Sequence, residues 1–417
     1  MKNTLTLTKE FDKNLSSDFV PIPDDRIQLS PFDDGRGKNF LLQIDKAYYK
    51  IPACAYELIR LIDGSRNVSV ITLELQKKGF DVNETTVKKI IVELTHHKDR
   101  PDPLPASSRR SFVYGRFRLF SQKQIRPVAR ILQFLFHNTI FAALGTLELV
   151  FLIFYNVLHE SPETHWTTLG FSEIVLLYGV ILLTLVIHEF GHATACTRFR
   201  ANHGEIGFGF YLFMPVLYAD VTDIWRLTRR ERLTVNSGGI YFQLLCLPFL
   251  YIGYAVSDRD LFLNAMDIIS FMAISSLNPF LRFDGYWILT DFAKTPNLKR
   301  RAFDLVANSI KGIWSQKRLR EKFRQRGDII VISYTLLSCC FFCFLTYRVL
   351  STLTDVFSSY PNALASIWMY IFDQNDFKLA LNKANEFLLP TLLLGGIGAL
   401  MINAVKTSTK RFFQKFR

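Results

Sequence analysis

Leu182–Phe199 reads LLTLVIHEFGHATACTRF, an apolar run that carries His188, Glu189 and His192 before it breaks into basic residues. The pattern is HExxH. Positions four apart share one face of a helix, so His188 and His192 can hold one metal ion, and Glu189 beside them can reach a water on that ion without being a ligand. A zinc hydrolase needs this arrangement: imidazole ligands, one open position, and a carboxylate that acts as general base. The same run has the composition of a membrane-spanning segment, where ionisable side chains are expensive and mark function.

The rest of the chain suits a membrane. It has 417 residues, 49% of them hydrophobic, with a positive mean hydropathy. The apolar residues are sparse up to about residue 125 and then fall in blocks long enough to cross a bilayer. The formal charge of +13 lies beside those blocks, where membrane topology accounts for it, and no nucleic-acid partner is expected. The start, MKNTLTLTKEFDKNL, lacks an apolar core, so no cleaved signal peptide is expected and the first span acts as the insertion signal.

Spans are expected at Ile131–Leu158, Phe171–Ala195, Leu233–Val256, Leu261–Leu289, Val331–Leu350 and Phe387–Ala404. Basic stretches before the first span, at Trp225–Arg232, at Lys294–Arg326 and in the tail set both termini in the cytoplasm, with the acidic loop His159–Thr168 and the loop Ser351–Glu386 outside. HExxH then lies at the cytoplasmic end of its span in the cell membrane. Ile206–Tyr218, IGFGFYLFMPVLY, is short for a span and is broken at Pro215, which predicts a hairpin or re-entrant piece packed in protein. Ser237, Gly238 and Gly239 permit close helix packing. Cys339, Cys340 and Cys343 resemble a metal cluster but have no further ligands nearby and are expected to be small buried hydrophobes. His96 and His97 read as surface residues beside a linker.

HExxH supplies two ligands, and a catalytic zinc site normally takes three from the protein. Asp284 in FDGY, just beyond the helix break at Asn278 and Pro279, is the leading candidate; Asp291, Asp220 and Asp223 are the competitors.

The first 100 residues read as strands within Arg26–Tyr49, a helical stripe at Ala55, Leu58, Ile59 and Ile62 that stops at Asp63–Gly64, and helices at Val68–Lys77 and Thr85–Leu94, with a wing-like hairpin expected. Residues 101–127 read as a basic linker in which Tyr114 to Leu119 has strand or interfacial spacing.

HEFGHATAC (His188–Cys196), MPVLYADVTDIWRL (Met214–Leu227), NSGG (Asn236–Gly239) and SLNPFLRFDGYWILTDF (Ser276–Phe292) together resemble the M50, or site-2 protease, family of intramembrane zinc metalloproteases. The nearest branch is the bacterial peptide zinc metalloprotease type found with bacteriocin and modified-peptide gene clusters. LIDGSRNVS (Leu61–Ser69) and NETTVKKIIVEL (Asn83–Leu94) resemble the PqqD-like winged-helix domains that bind leader peptides. The family carries a glycine–proline pair where this chain has Gly238 and Gly239, and leucine where it has Phe283; neither change removes a chemical group.

The resemblance implies a polytopic α-helical membrane protein of about six transmembrane helices, with a site-2 protease-like core and a small N-terminal α+β winged-helix-like domain. Its divisions would be a head at 1–100, the linker, a membrane core at 128–292, a basic loop at 293–329, and C-terminal helices with a basic tail at 330–417. It further implies zinc on His188, His192 and Asp284, Glu189 as general base, and Asn278, Gly207, Gly209 and Pro215 positioning an extended substrate. The expected activity is endoproteolysis of a precursor or leader peptide, with membrane lipid, a peptide-modifying enzyme or an ABC transporter as further partners. The competing expectation is a peptide exporter or immunity protein with a structural metal.

Overall fold

The structure is a computed structural model that describes residues 16–24, 27–32, 39–44, 47–95, 113–158, 170–211, 214–303, 326–374, 376–381 and 383–384. The expected wing, His96 and His97, the acidic loop His159–Thr168, most of the basic loop and the last span Phe387–Ala404 lie outside the described residues.

The head opens with an antiparallel meander, β1 (Ile27–Phe32), β2 (Asn39–Ile44) and β3 (Ala47–Pro52). Three helices follow: α1 (Ala53–Leu61), α2 (Val68–Lys77) and α3 (Glu84–Thr95). Their ends are set by local chemistry. α1 ends where Ile62 turns extended, and in the turn that follows Asp63 accepts from the Ser65 N–H at 2.9 Å and Gly64 takes a positive φ. Asn67 caps α2 through the Val70 N–H, and Asn83 accepts from the Thr86 N–H at the start of α3.

Alternation along the meander divides its side chains between two cores. Leu42, Ile44, Tyr49 and Ile51 face the head's own α1, whereas Phe32, Leu41 and Tyr48 pack with Trp225, Tyr286 and Trp287 of the membrane part. The sheet is thus covered on both faces. Tyr48 Oη donates to Asp223 Oδ1 at 2.7 Å, and Asp223 also takes the Asn202 N–H and the Arg226 guanidinium. Burial works against the Asp223 carboxylate, but Arg226, Asn202 and Tyr48 outweigh it and hold its pKa below the ordinary aspartate value.

The stretch expected as a linker contributes β4 (Tyr114–Phe120), which pairs antiparallel with β5 (Ile206–Tyr211) and so joins β6 (Met214–Ala219) in a three-stranded sheet of order β4-β5-β6. The hairpin expected from IGFGFYLFMPVLY is therefore present. Pro215 sits on outer strand β6, where a missing N–H is tolerated. Gly207 and Gly209 are needed for packing, because a Cβ at Gly207 would meet the Tyr218 ring and one at Gly209 would meet Val113.

The first span is shorter than expected. Gln122–Leu132 forms a separate amphipathic helix, α4, a 3-10 turn covers Gln133–Phe136, and the spanning helix α5 runs Asn138–Leu158. α6 (Phe171–Arg198) carries HExxH; α7 (Arg229–Leu244) and α8 (Leu247–Ser257) occupy the expected third span with a break between them. The expected span Leu261–Leu289 is divided at Asn278 into α9 (Asp260–Ser276) and α10 (Asp284–Phe292). Among the described residues, four helical segments are long and apolar enough to cross a membrane: Asn138–Tyr155, Ser172–Arg198, Arg229–Ser257 and Ile329–Arg348. The 17 residues of α9 rise only about 25 Å.

The long helix that follows the basic loop corrects two expectations. α11 runs Arg326–Phe372 without stopping at Leu350, so Ser351–Phe372 is helix rather than loop. Pro361 lies inside it, at the loss of one backbone N–H to the ladder. Cys339, Cys340 and Cys343 are exposed on α11, not buried; within a spanning helix an outward position is still apolar, which suits a small hydrophobe.

Replacing Tyr48 by Phe removes the head's hydrogen bond to a carboxylate, a change on the order of 1.5 kcal/mol. The expected outcome is faster backbone exchange in β3 and in Thr222–Arg226, read by hydrogen–deuterium exchange, with zinc content unaltered.

Candidate metal centre

On α6, His188, Glu189 and His192 are all buried, at 2%, 3% and 7% exposure. The helix is apolar on either side, so these groups must satisfy one another or a ligand. Two glycine contacts make room for them. A Cβ on Gly191 would overlap the Gly238 carbonyl, so α6 and α7 touch backbone to backbone. At the next residue of α7, a Cβ at Gly239 would fall on Nε2 of both His188 and His192. The space in front of the two imidazoles is thus cleared by a missing methyl.

The third group arrives through the break in the α9–α10 run. Asn278 Oδ1 accepts from the Phe280 N–H at 2.8 Å and from the Leu281 N–H at 3.4 Å, which turns the chain where Pro279 ends the helical ladder. Gly285 then passes so close to the Leu277 carbonyl that no side chain fits. Asp284 is the first residue of α10 and is 5% exposed; a carboxylate is favoured at a helix N-terminus.

Asp284 Oδ2 lies 3.0 Å from His188 Nε2, Asp284 Oδ1 lies 3.4 Å from His192 Nε2, and the two Nε2 atoms are 3.3 Å apart. Taking one donor atom from each residue, all three lie within 4.8 Å of one another, close enough to hold one divalent metal ion, and two imidazoles with a carboxylate are a donor set that zinc accepts. The outer nitrogens agree. His188 Nδ1 faces Gln243 Oε1 at 3.2 Å, and His192 Nδ1 faces the Val235 carbonyl at 2.8 Å. Both partners are acceptors; each Nδ1 therefore carries the proton and each Nε2 presents its lone pair inward. Among the described residues, His188, His192 and Asp284 are the group whose donor atoms come together closely enough to hold a metal.

The competing aspartates are used elsewhere. Asp291 receives Arg232 Nε at 2.7 Å on Oδ1 and Asn236 Nδ2 at 3.0 Å on Oδ2, while its backbone carbonyl accepts from Arg229. It clamps α10 to α7. The Arg232 guanidinium in turn lies 5.4 Å from the Phe32 ring of the head and 5.5 Å from Trp225. Asp220 accepts from the Thr222 hydroxyl and Asp223 holds the head. Of the residues expected to position substrate, Asn278 commits its side-chain oxygen to the turn. The strand carrying Gly207 and Gly209 is pinned near the centre by Tyr211, whose Oη accepts from the Arg282 N–H at 3.1 Å. Sequence reasoning passed over Gln243. A lone amide in the otherwise apolar IYFQL, four residues after Gly239, was the available signal.

No family model matches the chain, and no solved structure matches it. A Bacillus subtilis (strain 168) protein named "Putative peptide zinc metalloprotease protein YydH" is 28% identical over 134 residues, covering 31% of this chain and 53% of the relative. The chain thus matches about half the length of that relative. Likeness and metal-holding triad together describe a zinc-protease-like protein with membrane-length helices.

Gly239→Ala puts a methyl group on both ligand nitrogens, and the purified variant is expected to lose its zinc by elemental analysis. Gln243→Leu leaves the ligands in place but frees the His188 ring, and should weaken zinc about 10- to 100-fold in competition with a chelator.

Proposed function

We propose that the chain is a membrane-embedded zinc endopeptidase of the M50, site-2 protease-like type that cuts a precursor peptide. The observation that carries this reading is the buried triangle of His188, His192 and Asp284, with donor atoms within 4.8 Å of one another, and with Glu189 buried on the same turn of α6. A structural site has no need of that second carboxylate beside its ligands. Zinc held there supplies a Lewis acid that polarises a carbonyl and acidifies water. Glu189 takes the proton from the attacking water and returns it to the departing amine. The name of the Bacillus relative supports a peptide as substrate.

The hairpin gives the substrate a place to lie. β6 is an outer strand of its sheet, and Tyr211 of β5 stacks edge-on against Phe283 at 5.8 Å, next to Asp284. A peptide that adds to β6 as a further strand is extended beside the metal, its backbone held by the hydrogen bonds that a helix would otherwise keep to itself. Gly207 and Gly209 keep that sheet thin, and Pro215 offers an incoming strand its carbonyl but no N–H.

The head, docked through Tyr48 and Phe32, presents the leader of a ribosomally made, modified peptide or bacteriocin to a centre on the cytoplasmic side of the cell membrane. A peptide-modifying enzyme precedes this step or an ABC transporter follows it. Glu189→Gln should keep zinc and fold while losing more than 99% of cleavage, about 10²-fold or beyond for loss of a general base. Mass spectrometry of candidate precursor peptides incubated with both proteins checks this, and normal maturation by the variant sinks the peptidase reading.

A further inference from the structure

The corner formed by β4 and α4 has a surface that neither the metal centre nor the head uses. α4, QKQIRPVARIL, shows three faces rather than two. Ile125 and Ala129 are fully buried in the core that contains Ala193, Ala195 and Cys196 of α6. Arg126 and Arg130, with Lys123, lie together on one exposed flank. The other exposed flank is mainly apolar: Val128 is 41% exposed and Ile131 72%, Phe134 just beyond is 55% exposed, and Gln124 between them is tied back to the Ser121 N–H. A surface helix in water would carry polar residues there.

β4 carries the same residue types, exposed on both faces: Phe117 and Leu119, at 64% and 46% exposure, alternate with Arg116 and Arg118. No aspartate or glutamate occurs from residue 103 to residue 147, so this stretch of chain is basic throughout. α4 also runs, through one 3-10 turn, into spanning helix α5 at Asn138. Its place at the mouth of a span puts it at the level of lipid headgroups.

We propose that the β4–α4 corner is a contact for anionic phospholipid, with Val128, Ile131, Phe134 and Phe117 among the acyl chains and Arg116, Arg118, Lys123, Arg126 and Arg130 at the phosphates. An apolar flank beside a basic one, held at the entry of a span, fits an anionic leaflet. The contact bears on the metal centre by two routes. β4 is the strand that fixes β5, and Phe120 at its end packs on Phe190 of HExxH with ring centroids 5.6 Å apart. The leaflet therefore braces both the hairpin and the helix of the ligand histidines.

The test uses the full chain in nanodiscs of phosphatidylcholine alone or with about one third phosphatidylglycerol, read by hydrogen–deuterium exchange over residues 114–132. Exchange should slow about tenfold in the anionic discs, the effect of a few basic side chains at such a surface. The difference should vanish in R126Q/R130Q and persist in R126K/R130K, which keeps the charge if the first variant is poorly folded. Equal exchange in the two lipids, or a difference that survives R126Q/R130Q, overturns the proposal. Full protection already present in phosphatidylcholine also overturns it, since apolar insertion or a protein partner would then suffice. The readout is independent of peptide cleavage and stands or falls apart from the peptidase reading.

Discussion

Four ionisable side chains, His188, Glu189, His192 and Asp284, are sealed into an apolar bundle, and the donor atoms of the two histidines and Asp284 lie within 4.8 Å of one another. Such a cluster is tolerable only if each member is neutral, hydrogen-bonded or bound to a cation. The surrounding architecture can be understood as the set of contacts that meets this demand. Gly239 gives up its side chain so that the imidazoles have space, Gln243 and the Val235 carbonyl fix their protons on the outer nitrogens, and Gly285 lets the chain pass close enough to set Asp284 opposite them.

Precision at the third ligand comes from farther away. α10 is only nine residues long and would be marginal alone. It is held at its far end by Asp291, which meets Arg232 and Asn236 of α7, the helix that also carries Gly239. One helix therefore both clears the site and anchors the element that completes it. Arg232 reaches between aromatic rings of the head and of Trp225, so the anchor is capped from the head side.

Much of this was legible in the residues themselves. HExxH fixed a helix face, Asn278–Pro279 announced the break that frees Asp284, and the Gly- and Pro-rich run Ile206–Tyr218 announced a hairpin. The head's helices were legible because Asp63–Gly64, Asn67 and Asn83 act within a few residues of their own positions. What escaped depends on distant partners. Tyr114–Phe120 has strand spacing, but only β5, some 90 residues later, tells which sheet it enters. Leu350 looked like the end of a span because hydropathy falls there, yet helix geometry continues through polar sequence and through Pro361. Gln243 and Asp291 carry no motif, and their roles follow from which helices touch.

The two-faced sheet of the head has a consequence for how such proteins can be rebuilt. A domain that keeps one face for itself can be cut off or exchanged like a cartridge. Here Phe32, Leu41 and Tyr48 share a core with Trp225, Tyr286 and Trp287, so a transplanted head must bring an apolar outer face of matching shape and a phenol at the place of Tyr48. Recombination at residues 101–112 would respect the chain but not the packing, and a chimera built there would inherit an Asp223 that has lost its phenol partner, and bare aromatic rings.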